Sequence, residues 1–209
     1  MSFSTLVLDL DDTLYPASSG LWTLLRSRIE TYVACKLHLT SVEARRLRDQ
    51  LFRQYGTTMR GLQAVYQIDE EEFLKFVHNV PLWNFIQPNP QLKQVLSAYP
   101  QRKVIFTNAD TRHVQRVLKV MDLEDCFDQI VDIIAIGPYC KPMPESFKIL
   151  QDRLGVSLLD CVLVDDSTPN LVAAHMLGMR TVRVGRGPSP AGIDASIPSL
   201  LELPLVLTP

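Results

Sequence analysis

The sequence predicts an α/β protein, a doubly wound (Rossmann-like) parallel sheet with one inserted all-helical cap. Three observations predict it. Short apolar runs alternate with longer stretches of helical period, and a run apolar on both faces suits a strand buried in a parallel sheet. One long stretch, 16–88, contains no such run. Acidic, hydroxyl and lysine residues stand just after the runs, and in open α/β sheets ligands bind outside the carboxyl ends of the strands.

The elements follow in chain order. Thr5–Leu8 is the first expected strand. Helices are then expected at Leu21–Leu37, Ser41–Tyr55, a shorter one near Leu62, and Glu70–Asn79. Thr40-Ser41-Val42-Glu43 and Asp69-Glu70-Glu71-Glu72 both place a glutamate where a helix start can use it. Asn89-Pro90 opens the next helix, with Asn as cap and Pro in the first turn. After a strand at Val104–Phe106, Val114, Val117, Leu118 and Met121 form one apolar helical stripe. Ile130–Ala135 is the third expected strand, followed by a helix from Pro144. A fourth strand at Cys161–Val164 leads to a helix opened by Thr168-Pro169 and closed by Gly178 as its C′ residue. Strands at Thr181–Val184 and, shorter, Ala195–Ile197 complete the set, and the proline-rich tail from Pro188 is expected to wrap the surface. The core is therefore 1–15 and 89–209, and the helical cap 16–88.

A chain of 209 residues suits one domain, or one core with an insertion. Its 46% apolar and 21% charged residues match a soluble globular protein. Net charge is −2, from 21 basic and 23 acidic residues, with no block of one sign. That disfavours a nucleic acid polymer or an anionic membrane as partner. No apolar run approaches the ~18–20 residues of a membrane span, and the N-terminus lacks the basic start of a signal peptide. Cys35, Cys126, Cys140 and Cys161 are scattered, which reads as reduced thiols in a cytoplasmic protein. Oligomeric state is not legible.

The chemistry sits at strand ends. Asp9 and Asp11 follow Leu6-Val7-Leu8 with one residue between them; Asp12 reads as a turn residue. A second acidic pair, Asp165-Asp166, follows Cys161-Val162-Leu163-Val164. If these strands are neighbours, four carboxylates converge, which raises their proton affinity and destabilises the fold. A divalent cation offsets that repulsion, and an all-oxygen site suits Mg²⁺ together with a substrate phosphate. Thr107-Asn108 supplies a hydroxyl and backbone N–H groups just before a helix, an anion-friendly place. Lys141, followed by Pro142, adds a cation on a stiffened loop.

In this order the motifs resemble the haloacid dehalogenase-like hydrolases. Asp9-Leu10-Asp11-Asp12-Thr13 is similar to that family's first motif, Thr107 to the second, Lys141 to the third and Asp165-Asp166 to the fourth. The helical insert falls where that family places its cap. A narrower likeness runs through Asp9–Pro16, Tyr55–Leu62, Phe76–Val80 and Thr107-Asn108-Ala109-Asp110 with His113, and resembles the pyrimidine 5′-nucleotidase-like branch. The resemblance implies Asp9 as nucleophile, forming an aspartyl-phosphate, and Asp11 as general acid and base with an elevated pKa. It also implies Mg²⁺ held by the Asp9 carboxylate, the Asp11 carbonyl and Asp166. Asp165 would then bind directly or through water, with Thr107, Asn108 and Lys141 on the phosphoryl group.

The expected activity is therefore Mg²⁺-dependent hydrolysis of a small soluble phosphate monoester, foremost a pyrimidine nucleoside 5′-monophosphate. Sugar-phosphate or phosphoglycolate hydrolysis, or a phosphomutase, are the alternatives. A receiver-type signalling module shares the residue types but is shorter, lacks a cap and puts its acceptor on a middle strand. A degenerate binding member is disfavoured because every motif residue is present. Tyr15 sits near the expected hinge, Thr57 and Thr58 on a loop that could face the site, and His113 at a helix start beside the second motif. His78 is expected on a cap helix face, and Trp22 and Trp83 in apolar packing.

Overall fold

The computed structural model describes residues 3–208; Met1, Ser2 and Pro209, the outer ends of the expected core segments, lie outside them. Six parallel strands form one sheet in the order β3-β2-β1-β4-β5-β6. They are β1 (Thr5–Leu8), β2 (Arg102–Phe106), β3 (Gln129–Val131), β4 (Cys161–Asp165), β5 (Arg180–Val184) and β6 (Ala195–Ile197). Helices flank the sheet, so the central strands are covered on both faces. Leu6, Val7 and Leu8 are fully buried, and burying such a side chain stabilises by about 1.5–3 kcal/mol.

β1 lies between β2 and β4, with Leu8 opposite Ile105 on one side and Val164 on the other. The strand order reverses here, the place where doubly wound sheets open a crevice. The next residue, Asp9, donates its N–H to the Val164 carbonyl at 2.9 Å. The chemistry-bearing ends of three adjacent strands are thereby fixed side by side.

Four helices separate β1 from the rest: α1 (Leu21–Leu37), α2 (Ser41–Tyr55), α3 (Thr58–Tyr66) and α4 (Glu70–His78). Their ends are written locally. Thr40 accepts from the Glu43 N–H while the Glu43 carboxylate accepts from the Thr40 N–H at 2.9 Å, a complete capping box. Asp69 caps α4 through the Glu72 N–H at 2.7 Å. α4 ends at His78, with Asn79 beyond it. The remaining helices are α5 (Pro90–Ser97), α6 (Thr111–Met121), α7 (Pro144–Leu154) and α8 (Thr168–Met176).

Two segments depart from expectation. The third strand stops at Val131, not Ala135, because Asp132 turns the chain: Oδ1 accepts from the Ala135 N–H and Oδ2 from the N–H and hydroxyl of Thr111, at 2.6–2.8 Å. The tail does more than wrap the surface. β6 extends the sheet, and Leu200, Leu203 and Leu207 are buried, with the Tyr99 hydroxyl donating to the Leu207 carbonyl at 2.5 Å. No described helix is long and apolar enough to cross a membrane.

Candidate active site

The crevice at the end of β1 holds one buried cation among carboxylates. Lys141 is 1% exposed, and its Nζ donates to Asp9 Oδ1 at 2.8 Å, Asp165 Oδ2 at 2.8 Å and the Phe106 carbonyl at 2.7 Å. Burial alone would strip its proton, but the charges of Asp165 and Asp9 outweigh it and hold the ammonium above its ordinary value. Asn108 fixes this lysine's backbone from both sides: its Oδ1 accepts the Lys141 N–H at 2.9 Å and its Nδ2 donates to the Lys141 carbonyl at 3.0 Å. The Asn108 side chain, expected on phosphate, is thus spent on Lys141. Thr107 is buried at the end of β2, and its hydroxyl accepts from the Ala109 N–H at 3.0 Å.

Asp9, Asp165 and Asp166 offer oxygens within 4.8 Å of one another. Asp165 is completed by the Ser167 N–H at 2.8 Å and the Asn170 amide at 3.1 and 3.2 Å. Burial, then the neighbouring carboxylates, push the Asp166 carboxyl up to about 7. Burial likewise raises Asp9, against the pull of Lys141. Three clustered carboxylates share one ammonium, and an all-oxygen donor set of this kind fits a hard divalent ion such as Mg²⁺. When bound, such an ion would draw negative charge from a coordinated phosphoryl group.

Asp11 does not join that cluster. Its carboxylate accepts from the Tyr15 hydroxyl, and its Oδ1 lies 3.2 Å from His113 Nε2. Burial pushes this carboxyl up, but the His113 hydrogen bond and charge, with the Tyr15 hydrogen bond, bring it below its ordinary value. The elevated pKa expected from acidic crowding is therefore not found. Asp12, taken for a turn residue, adopts φ 58°, a conformation aspartate tolerates, and also lines the crevice, where burial and then Asp11 raise it to about 6.

Above the carboxylates lies a cavity of about 570 Å³, floored by strand ends and walled by α1–α4. Trp22, Phe52, Thr57 and Thr58 line it, as do Arg26 and Arg53.

A haloacid dehalogenase-like hydrolase family model matches residues 3–178. The chain belongs to that family. Phosphate metabolism protein 8 of Saccharomyces cerevisiae is 27% identical to this hydrolase over 186 residues, 82% of this chain and 58% of that protein. The phosphoglycolate phosphatase of Haemophilus influenzae is 27% identical over 56% of this chain and 53% of its own. This chain thus spans little more than half the length of those relatives. Among solved structures, the HAD-hydrolase YfnB of Bacillus subtilis, bound to magnesium, superposes with a TM-score of 0.64 at 18% identity over the full length of both chains, a likeness of fold.

Within this family fold, the residues expected at the site divide. Asp9, Thr107, Lys141, Asp166, Thr57 and Thr58 all line the cavity. Thr58 is buried there, its hydroxyl donating to the Arg48 carbonyl at 3.4 Å. Tyr15 and His113 are buried and face Asp11, so neither is placed to touch a substrate. His78 is expected on a cap helix face. It is the last residue of that helix, α4, stacked on His113 with centroids 4.2 Å apart and bonded through Nδ1 to Asp110 Oδ2 at 2.7 Å. Trp22 (41% exposed) faces the cavity and Trp83 (63% exposed) faces outward, so the expected packing role fails for both.

Proposed function

We propose that this hydrolase is a Mg²⁺-dependent phosphomonoesterase working through an aspartyl-phosphate on Asp9. The observation that carries the reading is the Lys141 ammonium, clamped at 2.8 Å to both Asp9 and Asp165 beneath the cavity walled by α1–α4. Asp9 Oδ1 is oriented by that ammonium, and among the described residues nothing bonds Oδ2. Asp9 attacks phosphorus; the new P–O bond forms as the ester oxygen departs. Asp11, whose carboxyl is lowered in the free protein, takes up a proton when the anionic phosphoryl group enters beside it, gives it to the departing oxygen, then takes one from the water that cleaves the acyl phosphate. Lys141 and the Thr107 hydroxyl stabilise the charge on the phosphoryl oxygens. Asp9, the Asp11 carbonyl and Asp166 would hold the metal ion, with Asp165 behind them. α1–α4 act as the cap, residues 16–88 over a core of 1–15 and 89–209, excluding water from the reacting groups.

For the substrate we favour a pyrimidine nucleoside 5′-monophosphate. The exposed Trp22 and Phe52 (57% exposed) give the cavity aromatic surface that suits a planar base. Arg53 favours a second reading. It lines the cavity and, among the described residues, forms no ion pair within 4 Å, its charge reaching Asp49 only from farther off, so it could pair with the second anionic group of phosphoglycolate or of a sugar bisphosphate. Phosphate release with Mg²⁺ from UMP, CMP, AMP, IMP, sugar phosphates and phosphoglycolate decides. Preference for UMP and CMP supports the first reading; preference for phosphoglycolate or a sugar phosphate replaces it. Consumption of a sugar bisphosphate without net phosphate release identifies a mutase.

A further inference from the structure

The start of α3 presses on the bend that carries Lys141. Arg60 is buried there, with one side chain serving both halves of the molecule. Its Nε donates to the Tyr139 carbonyl at 3.2 Å and its Nη2 to the Ile133 carbonyl. Its Nη1 reaches Gln63 and Glu70 at 2.8 Å, and Glu70 balances its charge. A guanidinium offers several donors in one rigid plane; here that plane spans both limbs of the bend 133–139, just before Lys141.

The two surfaces are cut to fit each other. A Cβ on Gly137 would stand 3.1 Å from Arg60 Nη2 and 3.3 Å from the Ile134 carbonyl. A Cβ on Gly56, in the turn before α3, would stand 2.7 Å from Cys140 Sγ, which donates to the Tyr55 carbonyl at 3.3 Å. Asn108 holds Lys141 from the core side; Arg60 holds the preceding bend from the insert. The Lys141 ammonium bridges two carboxylates at 2.8 Å, and a displacement of about 1 Å would break that geometry, at a cost that can reach about a hundredfold in rate.

We infer that Arg60 is a positioning residue: from the helical insert it fixes the bend that sets Lys141 against Asp9 and Asp165, so that seating of the insert and binding of the phosphoryl group are coupled. The catalytic consequence rests on the phosphomonoesterase reading; the hold on the bend does not. The test compares wild type, Arg60→Ala, Arg60→Lys and Leu62→Ala. Leu62 is fully buried on the same helix and has no polar side-chain group to bond the bend's carbonyls, so it controls for general loss of stability. Amide hydrogen exchange is read at Ile136, Gly137 and Tyr139, whose N–H groups close the bend, and kcat and KM with Mg²⁺ are measured alongside.

Arg60→Ala is expected to speed exchange of these amides and to lower kcat, each about tenfold or more, with a smaller change in KM. Arg60→Lys keeps the charge but lacks the planar fork that reaches both limbs of the bend, and falls between; it carries the comparison if the alanine variant does not fold. Leu62→Ala lowers Tm without either effect. The inference is overturned if the Arg60 variants match Leu62→Ala, if exchange rises with kcat unchanged, or if kcat falls with exchange unchanged. A wild type that releases phosphate from no ester sinks the phosphatase reading, while the exchange comparison still decides whether Arg60 holds the bend.

Discussion

His113 Nε2 stands 3.2 Å from Asp11 Oδ1, at a helix start closed to solvent. With Tyr15 it holds the Asp11 carboxylate, which does not belong to the cluster of Asp9, Asp165 and Asp166. The two aspartates are thereby given separate surroundings: Asp9 faces a lysine and carboxylates, Asp11 a hydroxyl and an imidazole.

Asp11→Asn should therefore leave the nucleophile in place and remove proton delivery. Loss of a general acid costs about 10²–10⁴-fold, and most where the leaving oxygen is a poor leaving group. An alkyl phosphate should lose far more than p-nitrophenyl phosphate. His113→Asn should show the same ranking, more weakly. Equal losses on both substrates would remove Asp11 from the acid role.

His78 and Asp110 join the insert to the core, and their pairing adds stability that weakens in acid. Burial, then the neighbouring His113, lower the His78 imidazole; burial would raise Asp110, but the His78 hydrogen bond and charge bring it down. A lowered imidazole means that the unfolded chain binds more protons below its ordinary pKa of 6.5, and a lowered carboxyl means the same below 3.8. Both signs agree: stability is lost as pH falls. Asp9, Asp12 and Asp166 are raised and pull the other way as pH falls, so the His78 part is read by difference: from pH 7 down to pH 4 the Tm of wild type should fall relative to that of His78→Gln. A constant difference between the two would contradict it.

Metal binding has a readout in stability. An ion that binds only the folded state raises Tm with concentration. Mg²⁺ should raise the wild-type Tm, while Asp166→Asn, which removes one of three clustered carboxylates, should weaken that response at least about tenfold in apparent affinity. An equal Mg²⁺ response in both proteins would place the ion elsewhere.

Trp22 tests the cavity wall. Trp22→Ala should raise KM for a nucleoside monophosphate by about tenfold, as loss of one base–aromatic stack costs about 1–3 kcal/mol, and leave p-nitrophenyl phosphate less affected. An equal change in both would deny Trp22 a role in reading the leaving group.

Much of this arrangement was legible in the chain because local rules agreed with the fold. Leu21–Leu37 and Ser41–Tyr55 stand as expected, since Thr40 and Glu43 mark a helix start chemically. The three acidic positions and Lys141 were legible because polar residues ending apolar strands have few other uses. What was not legible depends on distant partners. Ile130–Ala135 reads as a strand until Asp132 meets Thr111 across 21 residues. The lowered Asp11 depends on His113, 102 residues away, and the role of His78 on a helix end that packs against α6. Arg60 stood out only as part of the stretch Tyr55–Leu62, between expected helices; its hold on the bend at 133–139 depends on carbonyls 73 and 79 residues away.

The most direct test of the account is chemical trapping of the intermediate. Enzyme in excess is mixed with substrate and Mg²⁺, quenched in acid within the first turnover, and reduced with borohydride, which converts an aspartyl-phosphate to homoserine. The account predicts homoserine at position 9 in wild type and none in Asp9→Asn, whose turnover falls by at least about a thousandfold. Phosphate released at the normal rate with no modified residue, or with the modification at another aspartate, would contradict it.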